Sequence, residues 1–191
     1  MKRILAALDH SAAAERVYEQ ALTLATATQA EMMLLHVLSN EDSDSPEIPV
    51  HSAFDHYPLL LEQSVWDAYN KRWHRYEQSS LEVLQQLVAQ ATQAGVSAKL
   101  TQMTGTPEDL ICNLARTWQA DVIVIGSRGR RGLRELLLGS ISNYVTHHAP
   151  CSVWVVRSQP PAQTESTQAK LTQAEPYEKP NPRSVSQSAF G

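Results

Sequence analysis

Three glycines and a serine follow an apolar run late in the chain, at a spacing that suits phosphate binding. The run Val122-Ile123-Val124-Ile125 leads into Gly126 and Gly129, and Gly139-Ser140 follows after nine further residues. Glycine lets a phosphate oxygen approach backbone N–H groups closely, and a helix that begins at Gly139-Ser140 would direct its unpaired N–H groups at an anion. The spacing therefore predicts a cradle for the phosphates of a nucleotide at the end of a buried strand.

Arginines surround the second glycine of this motif. Arg128, Arg130 and Arg131 could pair with phosphate oxygens through charge-assisted hydrogen bonds, or could form a solvated basic loop. The Gly-Lys-Ser/Thr sequence of the P-loop does not occur in the chain. This weakens the case for phosphate chemistry and leaves phosphate binding as the favoured interpretation.

Composition restricts the class of protein. The chain has 191 residues, of which 42% are hydrophobic and 6% aromatic, as in an ordinary α/β domain. A net charge of −4 gives no general attraction to nucleic acid or to acidic membranes. Only two cysteines are present, far apart, and they indicate neither a disulfide framework nor a zinc site. With no apolar run near the ~20 residues that span a bilayer, we expect a cytoplasmic protein.

Apolar runs and amphipathic stretches alternate along the chain. This alternation predicts a doubly wound, five-stranded parallel sheet with helices on both faces. The predicted strands are 4–8, 32–38, 98–103, 122–125 and 152–156, and the predicted helices are 12–28, 65–94, 107–118 and 140–147. In the long helix, residues at three- and four-residue steps predict a face packed on the sheet rather than a cofactor site. These residues are Trp73, Tyr76, Ser80, Leu84, Leu87 and Ala91.

Two segments fall outside this alternation. Residues 40–64 are predicted to form a polar, proline-broken insertion, whose acidic run Glu41-Asp42-Ser43-Asp44 could attract hard cations but lacks the pattern of an EF-hand. A solvated loop is the favoured interpretation of that run. Residues 158–191 are rich in Pro, Ser and Gln and are predicted to be a disordered tail. The predicted domain therefore covers residues 1–157.

Four stretches together resemble the universal stress protein family, specifically its nucleotide-binding branch. Ile4 to Ser11 resembles the first strand and Asp-x-Ser turn of that family, and Leu34 to Val37 resembles the end of its second strand. The glycine motif resembles the family signature G-x2-G-x9-G-S/T, and Val145 to Arg157 resembles the closing helix and strand. The resemblance implies strand order 3-2-1-4-5, a Rossmann-like fold, and a homodimer formed through the last strand, Val153 to Arg157.

The same resemblance implies an adenine-nucleotide site for ATP, ADP or AMP, with Mg²⁺ as a companion of the phosphates. Asp9 would contact the ribose or the adenine, or would instead cap the helix that begins near Ser11. Val37 would contact the base. The phosphates would lie against Gly126, Arg128, Gly129, Gly139, Ser140, Ile141 and Ser142.

Two more of these positions keep a second interpretation, and the neighbouring His10 has two possible effects. Ser140 could also cap its helix, and Ser142 could be a solvent-facing helix serine. His10, which stands between Asp9 and Ser11, would either narrow the base pocket or stack on adenine. None of His36, His147 and His148 is predicted to be catalytic.

These features predict a regulatory binding module for adenine nucleotides that acts on an unidentified protein partner in a stress response. Two alternatives remain open at this point. One is a slow ATPase or phosphotransferase, for which the sequence shows no evident base. The other is a dimeric interaction scaffold that binds no nucleotide.

Overall fold

Five strands alternate with four helices in the computed structural model, which describes residues 1–11, 13–40, 42, 44–49, 63–127 and 138–157. In chain order the elements are β1 (Arg3–Leu8), α1 (Ala14–Thr28), β2 (Glu31–Leu38), α2 (Gln63–Gln93), β3 (Ala98–Thr104), α3 (Pro107–Thr117), β4 (Val122–Gly126), α4 (Ser140–His148) and β5 (Ser152–Val156). The predicted alternation of strand and helix is confirmed.

The strands form one sheet in the order β3-β2-β1-β4-β5, and every pairing is parallel. This confirms the strand order that the resemblance implied. Helices α1 and α2 contribute to the apolar cluster on one face of the sheet. Helices α3 and α4 contribute to the cluster on the other face. Both faces are therefore covered, as a parallel sheet requires.

Side-chain alternation along the central strands supplies both cores. In β1, Ile4 and Ala6 belong to the cluster beneath α1 and α2, whereas Leu5 belongs to the cluster beneath α3 and α4. Strand β4 divides in the same way, with Val124 on the first face and Ile123 on the second. Because successive side chains of a strand point to opposite faces, a strand covered on both sides is apolar throughout.

Two helix ends carry residues that typically mark such ends, and one helix begins later than predicted. Thr106 is the N-cap residue of α3 and Pro107 is its first residue, and Gly95 adopts a positive φ of 82° just after α2. Helix α1 begins at Ala14 rather than at residue 12, because the chain first makes a turn between Asp9 and Ser11.

The inner face of α2 packs on the sheet as predicted. Four of its six predicted positions are buried: Tyr76, Ser80, Leu84 and Ala91. Within the described part of the chain, no helix combines the length and the hydropathy that crossing a membrane would require. The predicted tail, 158–191, and residues 50–62 of the predicted insertion lie outside the described residues.

The central position of β4 gives a test of the core. Val124 is fully buried, so Val124→Ala removes two buried methyl groups and leaves a cavity between the sheet and α1. We expect the free energy of unfolding to fall by about 2 kcal/mol. The matched control is Val83→Ala on α2, where the side chain is 47% exposed and the change should stay within about 0.5 kcal/mol. Urea denaturation measures the free energy of unfolding of both variants. Equal losses of stability in the two would contradict the described core.

Candidate functional site

The carboxyl ends of the two central strands meet at one edge of the sheet. Ala7 of β1 pairs with Ile125 of β4, and Leu8 pairs with His36 of β2 on the other side. Asp9 thus leaves the sheet at β1, where the strand order reverses direction. In doubly wound sheets this is the position of the ligand crevice.

The peptide of Ser127 fixes the start of α4 at this edge. The Ser127 carbonyl oxygen accepts hydrogen bonds from the Gly139 N–H at 2.8 Å and from the Ser142 hydroxyl at 3.1 Å. The Ser127 N–H in turn donates to the Val156 carbonyl oxygen of β5 at 2.8 Å. The first two bonds join the end of β4 to the beginning of α4, and the third holds the same residue to β5. The ten residues between Ser127 and the chain before α4, 128–137, lie outside the described part of the chain.

The first turn of α4 can therefore act as an anion site. Gly139 is its N-cap residue in an extended conformation, and no side chain caps the helix. An interpretation of Ser140 as a helix cap is wrong, because Ser140 is the first helical residue. The first N–H groups of a helix have no intrahelical partner, so those of Ser140 and Ile141 are suited to bind phosphate oxygens.

Ser142 has a different role from a solvent-facing helix serine. It is only 2% exposed, and its hydroxyl lies 3.1 Å from the carbonyl oxygens of both Ser127 and Gly139. The interpretation as a solvent-facing residue is therefore wrong. Its contact with a phosphate stays a prediction, and the observed bonds give Ser142 the role of positioning the start of α4.

The carboxylate of Asp9 organises the turn after β1. Its Oδ1 atom accepts hydrogen bonds from the Ser11 N–H at 3.1 Å and from the Ser11 hydroxyl at 2.6 Å. The helix that follows has Ala13 as its N-cap residue, so Asp9 stabilises the turn and does not cap α1. Among the described residues Oδ2 has no hydrogen-bond partner, and the side chain is exposed. Oδ2 can therefore accept hydrogen bonds from ribose hydroxyl groups.

Val37 belongs to the face of the sheet that packs against α3 and α4. Its side chain is 8% exposed at the carboxyl end of β2, so it is suited to cover one side of a base. Gly126 ends β4 at the same edge, and Ile141 packs beside that apolar cluster. The structure therefore brings seven of the nine predicted residues to one edge. The other two, Arg128 and Gly129, lie outside the described residues.

A second polar cluster lies on the opposite face, beneath α2. We define the Asp42 cluster as His10, His36, Asp42, Tyr76 and Ser80. The Oδ2 atom of Asp42 accepts hydrogen bonds from His10 Nδ1 at 2.9 Å, His36 Nε2 at 2.8 Å and the Tyr76 hydroxyl at 2.8 Å. The ring centroids of His10 and His36 are 4.7 Å apart in an edge-to-face contact.

The ionisation of the cluster follows from these bonds. Burial alone would raise the pKa of Asp42, but the three hydrogen bonds outweigh it and hold that pKa well below the usual range of a carboxyl group. The hydrogen bond to Asp42, partly opposed by burial, raises the pKa of His10. Burial, together with the same carboxylate, raises the pKa of Tyr76. Asp42 is thus ionised and Tyr76 is neutral.

The proton positions on His10 can be assigned from its partners. The Ser80 hydroxyl donates its single proton to the Tyr76 carbonyl oxygen at 2.7 Å, so its oxygen accepts from His10 Nε2 at 3.3 Å. With Nδ1 donating to Asp42, both ring nitrogens of His10 carry a proton. His10 is therefore an imidazolium paired with a buried carboxylate.

Sequence reasoning missed this cluster. The acidic run was interpreted as a solvated loop, which is wrong for Asp42, a residue only 8% exposed. The ring of His10 packs against His36 and Tyr76, and its expected effect on a base, either narrowing the pocket or stacking on adenine, stays a prediction. The available signal was positional, because His10 and His36 stand at the carboxyl ends of neighbouring strands and the acidic run follows β2.

A sequence model of the universal stress protein family matches residues 1–157. The chain belongs to this family. Universal stress protein Sll1388 of Synechocystis sp. is 33% identical over 157 residues, which is 81% of this chain and 97% of that protein.

Solved universal stress proteins share the fold. An Arabidopsis thaliana family member with AMP bound superposes with a TM-score of 0.54 at 19% identity, covering 85% of this chain and 97% of the other. A universal stress protein in complex with cAMP gives a TM-score of 0.54 at 21% identity, covering 83% and 98%. At these identities the likeness establishes the common fold.

Removal of the central carboxylate tests the cluster. Asp42→Ala leaves an imidazolium, a second imidazole and a phenol without their shared acceptor in a buried position. We expect the free energy of unfolding to fall by about 3 kcal/mol or more. Asp44→Ala is the matched control, since Asp44 is exposed two residues further on, and we expect a change within about 0.5 kcal/mol. Similar values for the two variants in thermal or urea denaturation would contradict the network.

Proposed function

We propose that this universal stress protein binds an adenine nucleotide at the carboxyl edge of the sheet, between β1 and β4. The observation that carries the proposal is the placement of the uncapped N-terminus of α4 beside the ends of these two strands. Backbone N–H groups at Ser140 and Ile141 bind phosphate oxygens there. The glycine at 139 lets the ligand approach the backbone without a side chain between them.

Asp9 and Val37 complete the proposed site on the nucleoside side. Asp9 presents Oδ2 to the ribose hydroxyl groups while Oδ1 keeps the turn with Ser11. Val37 offers an apolar side chain and adjacent backbone groups to the base. Family members with bound AMP and with bound cAMP support adenine as the base. Arg128 and Gly129 belong to the proposal through the sequence motif alone.

We further propose a regulatory module in which nucleotide occupancy is the signal to a protein partner. The described residues of the site supply hydrogen-bond donors and one carboxylate that is already engaged with Ser11. That arrangement suits retention of the nucleotide rather than hydrolysis. Mg²⁺ would be recruited by the phosphates themselves, so we expect it to strengthen the binding of ATP and to leave that of AMP unchanged.

The nucleotide site is tested by calorimetric titration of AMP, ADP and ATP, with and without Mg²⁺, into wild type and Asp9→Asn. The asparagine keeps an oxygen for Ser11 but loses the charge that strengthens hydrogen bonds from ribose. We expect AMP binding to weaken about tenfold to a hundredfold, since hydrogen bonds to charged groups contribute about 1.5–3 kcal/mol.

Asp67→Asn, on an exposed part of α2, is the matched control and should bind like wild type. If the folded wild-type protein binds none of the three nucleotides, the result contradicts the proposal and favours the alternative of an interaction scaffold that binds no nucleotide. Release of free phosphate from ATP in step with binding would favour the ATPase alternative instead.

We also propose that two copies of the chain pair through β5. This strand lies at the edge of the described sheet and contacts β4 on one side. Its Trp154 is 40% exposed between Val153 and Val155, which pack inward. An exposed edge strand with a large apolar side chain is a typical site for pairing with another chain.

Trp154→Lys tests the pairing, because lysine on a strand edge opposes edge-to-edge association. We expect the variant to be a monomer by light scattering at concentrations where wild type is a dimer. Trp66→Lys is the matched control, since Trp66 on α2 has the same 40% exposure and should leave the mass unchanged. A monomeric wild type, or a dimer insensitive to Trp154→Lys, would contradict the proposed interface.

A further inference from the structure

We propose that His10, His36 and Asp42 form a binding site for a divalent first-row transition metal, with Zn²⁺ as the representative ion. Its three ligands differ from the residues of the proposed nucleotide site, although Asp9 of that site lines the same cleft as His10 and His36. The metal site is also distinct from any Mg²⁺ that accompanies the phosphates. It lies on the face of the sheet beneath α1 and α2, whereas Val37 lies on the opposite face.

The donor atoms already converge. One ligand atom from each of the three residues lies within 4.8 Å of the other two, and the carboxylate oxygen is 2.8–2.9 Å from both imidazole nitrogens. Metal–ligand bonds of about 2.0–2.1 Å at a tetrahedral ion place the ligand atoms about 3.3 Å apart. Room for the ion therefore requires the two nitrogen–oxygen pairs to open by a few tenths of an ångström. It also requires both imidazole rings to turn, so that their nitrogens, which lie within 4.8 Å of each other, point at the ion and not at the carboxylate oxygen.

The chemistry of the donors selects the class of metal. Two imidazoles and one carboxylate suit zinc, and the same set is found in sites for iron(II). Magnesium and calcium prefer oxygen ligands, so neither competes well for a site with two nitrogen donors. The side chains of His36 and Asp42 are 4% exposed and that of His10 is 19% exposed, so two of the three ligands are shielded from the water that would otherwise keep the ion hydrated.

The surrounding residues already hold two of the three ligands in place. His10 Nε2 donates to the Ser80 hydroxyl oxygen, and the Tyr76 hydroxyl donates to the Asp42 carboxylate. Such outer hydrogen bonds fix ring orientation and raise ligand basicity in known metal sites. Both bonds can persist when the ion binds, because they use atoms or lone pairs that the ion does not need.

His36 is the most buried of the three ligands. It is 3% exposed, and its Nδ1 atom has no hydrogen-bond partner among the described residues. Its Nε2 atom faces the carboxylate oxygen of Asp42 at 2.8 Å, so the nitrogen that would bind the ion is the one directed at the other two ligands.

Protons balance in the binding step. The ion takes the place of the proton on His10 Nδ1, which is released to solvent. At His36 the proton on Nε2 is replaced by the metal and the ring becomes the Nδ1–H tautomer, so no net proton is lost there. Binding of the dication therefore releases one proton in total, and one carboxylate balances part of the charge of the ion.

A cleft in the surface gives an ion access to the site. A cleft of about 350 Å³ between α1 and α2 is lined in part by His10, His36 and Ser80. A water molecule entering from this cleft can occupy the fourth position of a tetrahedral ion. Three protein ligands and one exchangeable position are the arrangement of zinc sites that bind small molecules or activate water.

The direct test is calorimetric titration of Zn²⁺ into the full chain, freed of any polyhistidine tag, without nucleotide or Mg²⁺. We expect one Zn²⁺ per chain and at least a tenfold loss of affinity in Asp42→Asn. His74→Asn is the matched control, because His74 also lies beside a carboxylate, Glu77, at 3.4 Å, but on the exposed surface of α2. The affinity of that control should equal wild type.

A second measurement needs no variant and remains decisive if Asp42→Asn fails to fold. Long-range ¹H–¹⁵N NMR spectra of the histidine rings, recorded on wild type during the titration, should show His10 Nδ1 and His36 Nε2 shifting together at one equivalent. Absence of stoichiometric binding, or shifts confined to exposed histidines such as His74, His147 and His148, would overturn the proposal. Zn²⁺ affinity equal in wild type and a folded Asp42→Asn variant would overturn it too.

Discussion

The parallel pairing of β1 with β2 on one side and with β4 on the other is the constraint on which the rest of the structure depends. It brings the carboxyl ends of three strands to one edge of the sheet. The segments that follow β1 and β4 leave this edge separately. The reversal of strand order opens a crevice there. The Ser127 peptide then fixes α4 across the end of β4, so the helix N-terminus faces the same edge.

Strand alternation divides this edge into two chemically different sides. Val37 serves the side of α3 and α4, whereas Asp9, just after the end of β1, lines the cleft between α1 and α2. The adjacent residues His10 and His36 serve the side of α1 and α2, where they meet Asp42.

Much of the fold could be predicted from the sequence, because each element carried a local signal. Apolar runs marked the strands, and the glycine motif placed the start of α4 correctly at Ser140. The start of α1 was less accurate, since the Asp9–Ser11 turn uses the residues that were expected to begin the helix.

The environments of Ser142 and Asp42 could not be predicted in this way. Both are polar residues in polar surroundings in the sequence, and both are buried by partners that are distant in the chain. Ser142 is buried by Ser127, fifteen residues earlier, and Asp42 by Tyr76, thirty-four residues later. A local pattern reports the average environment of a segment, whereas these two side chains depend on contacts that exist only after the sheet and α2 have assembled.

The nucleotide site is most directly tested by titrating AMP into ¹⁵N-labelled protein and following the backbone amide signals. Binding at the carboxyl edge predicts that the largest shifts occur together at Asp9, Gly126, Gly139 and Ser140. Gly95 and Asp121, which lie next to the amino ends of β3 and β4, should not move. Shifts centred on Gly95 and Asp121, or no shifts at saturating AMP, would contradict an adenine-nucleotide site between β1 and β4.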